Sequence, residues 1–218
     1  PWKIRSRPPL AELEAFILSA GLGTRMGPLS RVLPKPAWTL QGRSLLCWSA
    51  ARLRAQGFGS VGCNAHHLVA ALRRAAAGEL EIFEEPVLLG SAGGLRHALG
   101  RAADPLAVWN GDALAEVPWA AFREAHRARR AEQSSLLVPH PGGPWNPVWL
   151  GPDGRILPKG ETGEGPYHFT GASLWGREAL ALLPEGPSDT KADLLPRLSR
   201  HVGIVTEPFP WREVGTPD

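Results

Sequence analysis

Short continuous apolar runs alternate with longer amphipathic stretches over the first 138 positions. Phe16-Ile17-Leu18 is an unbroken apolar run closed by glycine, the pattern of a strand buried on both faces. Ser44 to Gln56 predicts a helix, with Ser44 as its cap, an apolar face from Leu45, Leu46, Trp48, Ala51 and Leu53, and Gly57 as its stop. Ser60–Asn64 reads as a strand, His66–Ala77 as a helix, Glu79–Phe83 as a strand and Ala92–Leu99 as a short helix. Leu106–Trp109 is another buried strand, running into Asn110-Gly111-Asp112, and is followed by a helix from about Pro118 to Arg130 and a strand at Ser135–Val138. Such strand–helix alternation predicts a parallel sheet with helices on both faces.

After Pro139 the pattern breaks. Pro141, Gly142, Gly143, Pro144, Gly151, Pro152, Gly154 and Gly160 interrupt it, and 139–176 reads as an antiparallel annex laid against the open end of the sheet. Leu194–Arg200 is expected to be helical, Gly203–Thr206 to be a last strand, and Trp211–Asp218 to be a loop. One domain is expected over 1–218, with 1–138 as its main part and 139–218 as annex and closing segment.

Composition narrows the class. At 43% hydrophobic the 218 residues can bury a full core, and nothing in them suggests disorder. The net charge of +3 is dispersed along the chain, which suits a phosphate-bearing small ligand and is too mild to argue for nucleic acid. Cys47 and Cys63 lie in no paired or zinc-like spacing, so a reduced protein of the cytoplasm is expected. Lys3, Arg5 and Arg7 precede an apolar stretch too short for a signal peptide, and no run approaches a membrane span.

The densest chemistry lies in Leu18-Ser19-Ala20-Gly21-Leu22-Gly23-Thr24-Arg25-Met26-Gly27-Pro28-Leu29-Ser30, followed by Leu33-Pro34-Lys35-Pro36. Glycines let backbone N–H groups approach an anion, and Arg25 and Lys35 stand where a triphosphate needs neutralising. A dinucleotide-binding turn also carries spaced glycines, but it needs a helix starting inside them and an acid about twenty residues on. Pro28, Pro34 and Pro36 prevent that helix, and no acid lies between Glu14 and Glu79.

The loop resembles the signature of the sugar nucleotidyltransferases, Ala-Gly-x-Gly-Thr-Arg-Met then Pro-Leu-Thr and Pro-Lys-Pro, with Ser30 replacing the threonine. The resemblance runs on through Asn64-Ala65-His66-His67-Leu68, Glu85-Pro86 with Leu88 to Arg96, Asn110-Gly111-Asp112, His168-Phe169-Thr170-Gly171 and Trp211-x-Glu213-Val214-Gly215-Thr216-Pro217. It is nearest the mannose-1-phosphate guanylyltransferase and N-acetylmuramate-1-phosphate uridylyltransferase branch. It implies a Rossmann-like three-layer α/β sandwich with a mostly parallel sheet and a small antiparallel sugar-binding annex. It also implies transfer of a nucleotidyl group from an NTP to a sugar 1-phosphate, with Mg2+ as cofactor, in a monomer or homodimer.

By resemblance Leu18, Ala20, Gly21, Gly23, Thr24, Arg25, Ser91, Ala92, Gly93 and Gly111 bind nucleotide. Arg25 clamps the β- and γ-phosphates, Lys35 bridges the α-phosphate and the sugar phosphate, and Asp112 and Glu213 hold the metal. Glu213 stands where relatives have aspartate, which leaves open a core-edge acid without that role. Lys159 takes the place of a sugar-phosphate lysine although its surroundings differ from the family pattern, and Gly171 is expected under the sugar ring. Trp145, Trp149, Tyr167 and Trp175 cluster in the annex as candidates to wall the sugar pocket, and simpler readings stay beside all of these: an Asx turn at Asp112, a helix-entry turn at Gly90–Gly94, structural roles for His66 and His67, and ordinary core or surface packing for the four aromatics. The alternative functions are a non-catalytic nucleotide-sugar-binding paralogue and a cytidylyltransferase acting on phosphocholine.

Overall fold

The computed structural model describes residues 13–143 and 145–213, with the side chains of Arg25, Met26, Arg212 and Glu213 outside that description. Strands are β1 (Leu13–Leu18), β2 (Thr39–Leu40), β3 (Arg43–Ser44), β4 (Val61–Ala65), β5 (Glu81–Glu84), β6 (Ala102–Asn110), β7 (Ala113–Ala115), β8 (Gln133–Pro139), β9 (Val148–Leu150), β10 (Glu164–Trp175), β11 (His201–Val205) and β12 (Trp211–Glu213). Helices are α1 (Leu45–Ala55), α2 (Val69–Ala76), α3 (Gly90–Leu95), α4 (Trp119–Ala128) and α5 (Arg177–Ala181). The main sheet runs β11-β8-β10-β6-β1-β4-β5, and β9 adds to β10.

Alternate residues of each central strand feed separate cores, which is why the strands read as unbroken apolar runs. Ala15, Ile17, Ala107 and Trp109 pack with α1, α2 and α4 on one face, whereas Phe16, Leu106 and Val108 pack with α3 and α5 on the other. The predicted three-layer α/β arrangement is therefore present. No described helix is long and apolar enough to cross a membrane.

Several expectations shift at their edges. Ser44 does cap α1, its hydroxyl accepting from the Cys47 amide at 3.2 Å. The helix expected from His66 starts only at Val69, because Leu68 before it sits at φ 51°. Thr190–Leu194 is a single π-turn and Leu195–Arg197 a 3-10 turn in place of one helix, since Pro196 removes an amide donor. Trp211–Glu213 is a strand paired with β7, not a loop, and Val214 to Asp218 lie outside the described residues.

The annex departs most from expectation. Its long strand β10 enters the main sheet between β6 and β8 and runs antiparallel to both. All the other pairings along that sheet path are parallel: β1 with β4 and β6, β4 with β5, and β11 with β8. Ala172 and Leu174 face one core while Ser173 and Trp175 face the opposite side, and all four are buried. A strand buried on both faces belongs inside a sheet, not against its end.

From β1 the chain moves outward to β4 and β5, then returns to place β6 on the other side of β1. The order reverses there, opening a crevice at the carboxyl ends of β1 and β6 where ligands of open α/β sheets bind.

Candidate functional site

Three segments meet at that crevice. β1 delivers the glycine loop, in which Gly23 sits at φ 63°, a conformation that favours glycine. Thr24–Arg31 follows as a 3-10 run broken at Gly27, and Lys35–Ala37 as a second 3-10 turn. β6 ends at Asn110, and Gly111 donates its amide to the Leu18 carbonyl at 2.9 Å. A Cβ at Gly111 would lie 2.9 Å from that carbonyl oxygen and 3.1 Å from Ile17, so the two strand ends close only on glycine.

Lys35 is 7% exposed, and its Nζ donates to Asp112 Oδ2 at 3.1 Å. The side chain of Asp112 is one-third exposed, toward the crevice. Proline on each side of Lys35 limits where its backbone can go. The turn carrying Asp112 is tied down by Trp109, whose indole N–H donates to the Ala113 carbonyl at 3.1 Å.

A cavity of about 400 Å3 opens here, lined by Leu18, Ala20, Gly21, Gly23 and Thr24 from the loop and by Lys35, Ser91, Gly111 and Asp112 opposite. Nine of the predicted residues thus converge. Ala92 and Gly93 do not line it: they are buried, and both amides donate to the Ser188 carbonyl. Lys159 lies exposed on the 158–161 turn and lines none of the described cavities around Asp112. Gly171 joins Asp112, His168 and Trp211 in an adjoining hollow of about 190 Å3. Its φ is 89° and a Cβ there would sit 3.1 Å from Asn110 Cβ, so the demand for glycine comes from the protein itself. The Arg25 side chain lies outside the described residues. Glu213 is placed by backbone alone, opposite Ala113 and so one position from Asp112 along β7.

Other residues matter more than their types suggested. Asn64, in a wholly buried strand, accepts from the Ser19 amide at 2.7 Å and donates to Glu85 at 2.8 Å, fastening the glycine loop to β4. An amide in a buried strand has to be satisfied, and that was the signal available in the sequence. His66 and His67 prove structural: the first contacts the Glu85 carbonyl at 2.9 Å, and the second donates from Nε2 to the Ser30 carbonyl at 2.7 Å.

The Ser91 hydroxyl donates to Asp189 at 2.7 Å, and Asp189 also accepts from the amides of Lys191 and Ala192. Burial alone would raise Asp189, but the hydrogen bonds from Ser91, Ala192 and Lys191 outweigh it and hold the carboxyl below its ordinary range. The annex aromatics do not form one wall. Trp145 packs edge-on to His168 and Trp211, whereas Trp175 lines a separate cavity and Tyr167 bonds to Glu164 on the surface.

A carboxylate beside a buried lysine and a glycine loop is an arrangement able to hold a polyphosphate and an accompanying hard cation. Among the described residues no cluster of three or more His, Cys, Asp or Glu is present.

Comparison with known proteins agrees with this geometry. The chain is 31% identical over 225 residues to an N-acetylmuramate alpha-1-phosphate uridylyltransferase of Neisseria meningitidis, covering 94% of each. It is 27% identical to a mannose-1-phosphate guanylyltransferase of Mycobacterium tuberculosis, over 95% of this chain and 62% of that one. HddC of Yersinia pseudotuberculosis, solved with GMP-PN, superposes with a TM-score of 0.81 at 19% identity, over 94% of this chain and 95% of that chain. The inositol-1-phosphate CTP transferase of T. maritima gives 0.74 at 17% identity over 95% and 91%, and both likenesses show a shared fold. Residues 15–172 match the MobA-like NTP transferase domain, and the chain belongs to that family as a nucleotidyltransferase.

Proposed function

We propose that this enzyme transfers a nucleotidyl group from an NTP to a sugar 1-phosphate, giving an NDP-sugar and pyrophosphate, with Mg2+ as cofactor. The observation that carries the reading is Lys35, a buried amine held 3.1 Å from Asp112 where the nucleotide cavity adjoins the hollow beside Gly171. Such a cation serves two phosphates that must meet. An oxygen of the sugar phosphate bonds to the α-phosphorus while the bond from that phosphorus to the β-bridging oxygen breaks, and pyrophosphate leaves with the electron pair. The attacking oxygen is already anionic, so the protein needs to bind and orient more than to move a proton.

In this reading the Gly21–Thr24 backbone cradles the triphosphate, Arg25 clamps its outer phosphates, and Lys35 draws the α-phosphate and sugar phosphate together. Ser91 and Gly111 border the nucleoside, while Ala92 and Gly93 hold that border in place from beneath. Asp112 and Glu213 are the residues that would hold Mg2+ in this reading: β12 pairs with β7 so that the backbone of Glu213 lies opposite Ala113, the residue after Asp112, and the remaining coordination would fall to phosphates and water. When bound, the cation supplies charge neutralisation to the reacting phosphates.

The test is pyrophosphate release from purified protein with Mg2+, each of the four NTPs, and a panel of sugar 1-phosphates including the mannose and N-acetylmuramate compounds. Release with at least one pair, abolished by EDTA, is expected. Nucleotide binding without release across the whole panel would overturn the reading in favour of a non-catalytic binder.

A further inference from the structure

One edge of the sheet holds a basic hollow that the proposed reaction does not use. β11 is the last strand on that side, with β8 and β10 between it and β6. The 151–155 turn lies along its free edge: Arg155 bridges Val202 in antiparallel fashion, and Gly203 donates its amide to the Gly154 carbonyl at 2.9 Å. Beside this contact opens a hollow of about 610 Å3, against about 400 Å3 for the nucleotide pocket. It shares no lining residue with that pocket or with the hollow beside Gly171. It is equally separate from a second cavity, of about 290 Å3, that runs along β6, β10 and β8 and borders the nucleotide pocket at Leu18, Ser91 and Asn110.

Three arginines from three segments line the basic hollow: Arg129 after α4, Arg155 in the turn and Arg200 before β11. Gly154, at φ 77°, leaves room for the first, since a Cβ there would lie 2.8 Å from Arg129 Nη1. Arg129 Nη1 donates to the Gly203 carbonyl at 3.4 Å and Arg200 Nη1 to the Arg130 carbonyl at 3.2 Å, which leaves most donors of each guanidinium uncommitted. Among the described residues none of the three is in an ion pair. The two carboxylates on the wall are engaged locally, Asp153 accepting from the Arg155 amide at 3.0 Å and Glu164 from the Tyr167 hydroxyl at 2.7 Å. His201 also lines the hollow, and burial holds its imidazole below the ordinary range, so it adds no charge at pH 7. Charged side chains on an edge strand can serve to repel a second strand. Here the turn already occupies the free edge of β11 at Val202 and Gly203, so backbone fills that role.

We propose that this hollow binds a small molecule carrying phosphate and hydroxyl groups, separately from the sites of the transfer reaction. Guanidinium forks match phosphate oxygens two at a time, and three forks facing one hollow suit a dianion. Asp153 and Glu164 keep lone pairs for hydroxyl donors, and the volume lies in the range of small-molecule pockets, beyond what a bare phosphate fills.

Calorimetric titration of the full chain with glucose 6-phosphate, inorganic phosphate and glucose, without NTP or Mg2+, tests this. Glucose 6-phosphate is expected to bind more tightly than inorganic phosphate, and glucose not at all. Arg155→Met/Arg200→Met is expected to weaken glucose 6-phosphate about 10-fold or more, the scale of lost charge-assisted hydrogen bonds. Lys35→Met, which alters the nucleotide pocket, is expected to leave that affinity within about twofold. So is Arg73→Met/Arg74→Met, which removes the same charge from exposed positions on α2. Both arginine pairs are exposed, and unfolding midpoints confirm that the variants fold. No binding of either phosphorylated probe, or equal weakening by the two arginine pairs, would overturn the site. Binding lost with Lys35→Met and kept in Arg155→Met/Arg200→Met overturns it too, because the ligand then sits in the nucleotide pocket. Equal affinity for the two phosphorylated probes overturns the assignment of a hydroxyl-bearing ligand.

Discussion

Replacing Lys35 with methionine separates a catalytic cation from a structural one. At 3.1 Å and an effective dielectric near 20, the gross attraction between Lys35 and Asp112 is about 5 kcal/mol. Burying the ammonium offsets most of it. The Lys35 side chain is 8% exposed but that of Asp112 is 33%, so water can reach the carboxylate once the ammonium is gone. Methionine keeps the stem's packing, and the expected loss of stability is about 1 kcal/mol or less. If Lys35 instead stabilises charge on the reacting phosphates, its loss costs about 3 kcal/mol in the transition state, roughly a hundredfold or more in kcat. The assay pairs pyrophosphate-release kinetics with urea unfolding, repeated for Asp112→Asn and the double variant. A kcat within tenfold of the parent, or a stability loss as large as the activity loss, would refute the reasoning.

Gly111→Ala puts a methyl 2.9 Å from the Leu18 carbonyl oxygen, and the forced separation of β1 from β6 is expected to cost about 1–3 kcal/mol and weaken NTP binding; unaltered unfolding and NTP affinity would sink that account. Burial pushes His126 below its ordinary 6.5, so the unfolded chain takes up a proton before the folded one does. Stability is therefore lost as pH falls below about 6.5 toward the depressed value, and His126→Gln should show a smaller loss between about pH 7.5 and 5.5 than the parent; identical slopes in thermal melts would contradict this. Glu213→Gln should cut turnover strongly and weaken Mg2+ dependence while leaving NTP affinity nearly unchanged, and equal turnover at limiting Mg2+ would remove Glu213 from the proposed metal site.

The glycine loop, Lys35 and Asp112 were legible because their chemistry is local. Each glycine, proline or charge acts through its own backbone or its own reach, so type and order along the chain carried the information. The same holds for the Ser44 cap and the buried runs of β1, β4 and β6. Less legible was anything set by partners far along the chain. Ala92 and Gly93 look like ligand-facing residues until Ser188, nearly a hundred positions later, takes their amides. Lys159 was the nearest lysine to the family pattern, yet Lys191 is the one that reaches a cavity beside the site.

The sequence by itself therefore determined the class of fold, and it singled out the glycine loop, one lysine and one aspartate as candidates for the same chemistry. Tertiary structure alone decided that β10 enters the sheet antiparallel between β6 and β8. That insertion turns Gln133, Ser135, Ser173 and Trp175 onto one face and so builds the second cavity. The physical reason lies in strand geometry. A strand buried on both faces has the same apolar composition whichever way it runs, and which face a serine occupies depends on register with a neighbour that no local pattern names.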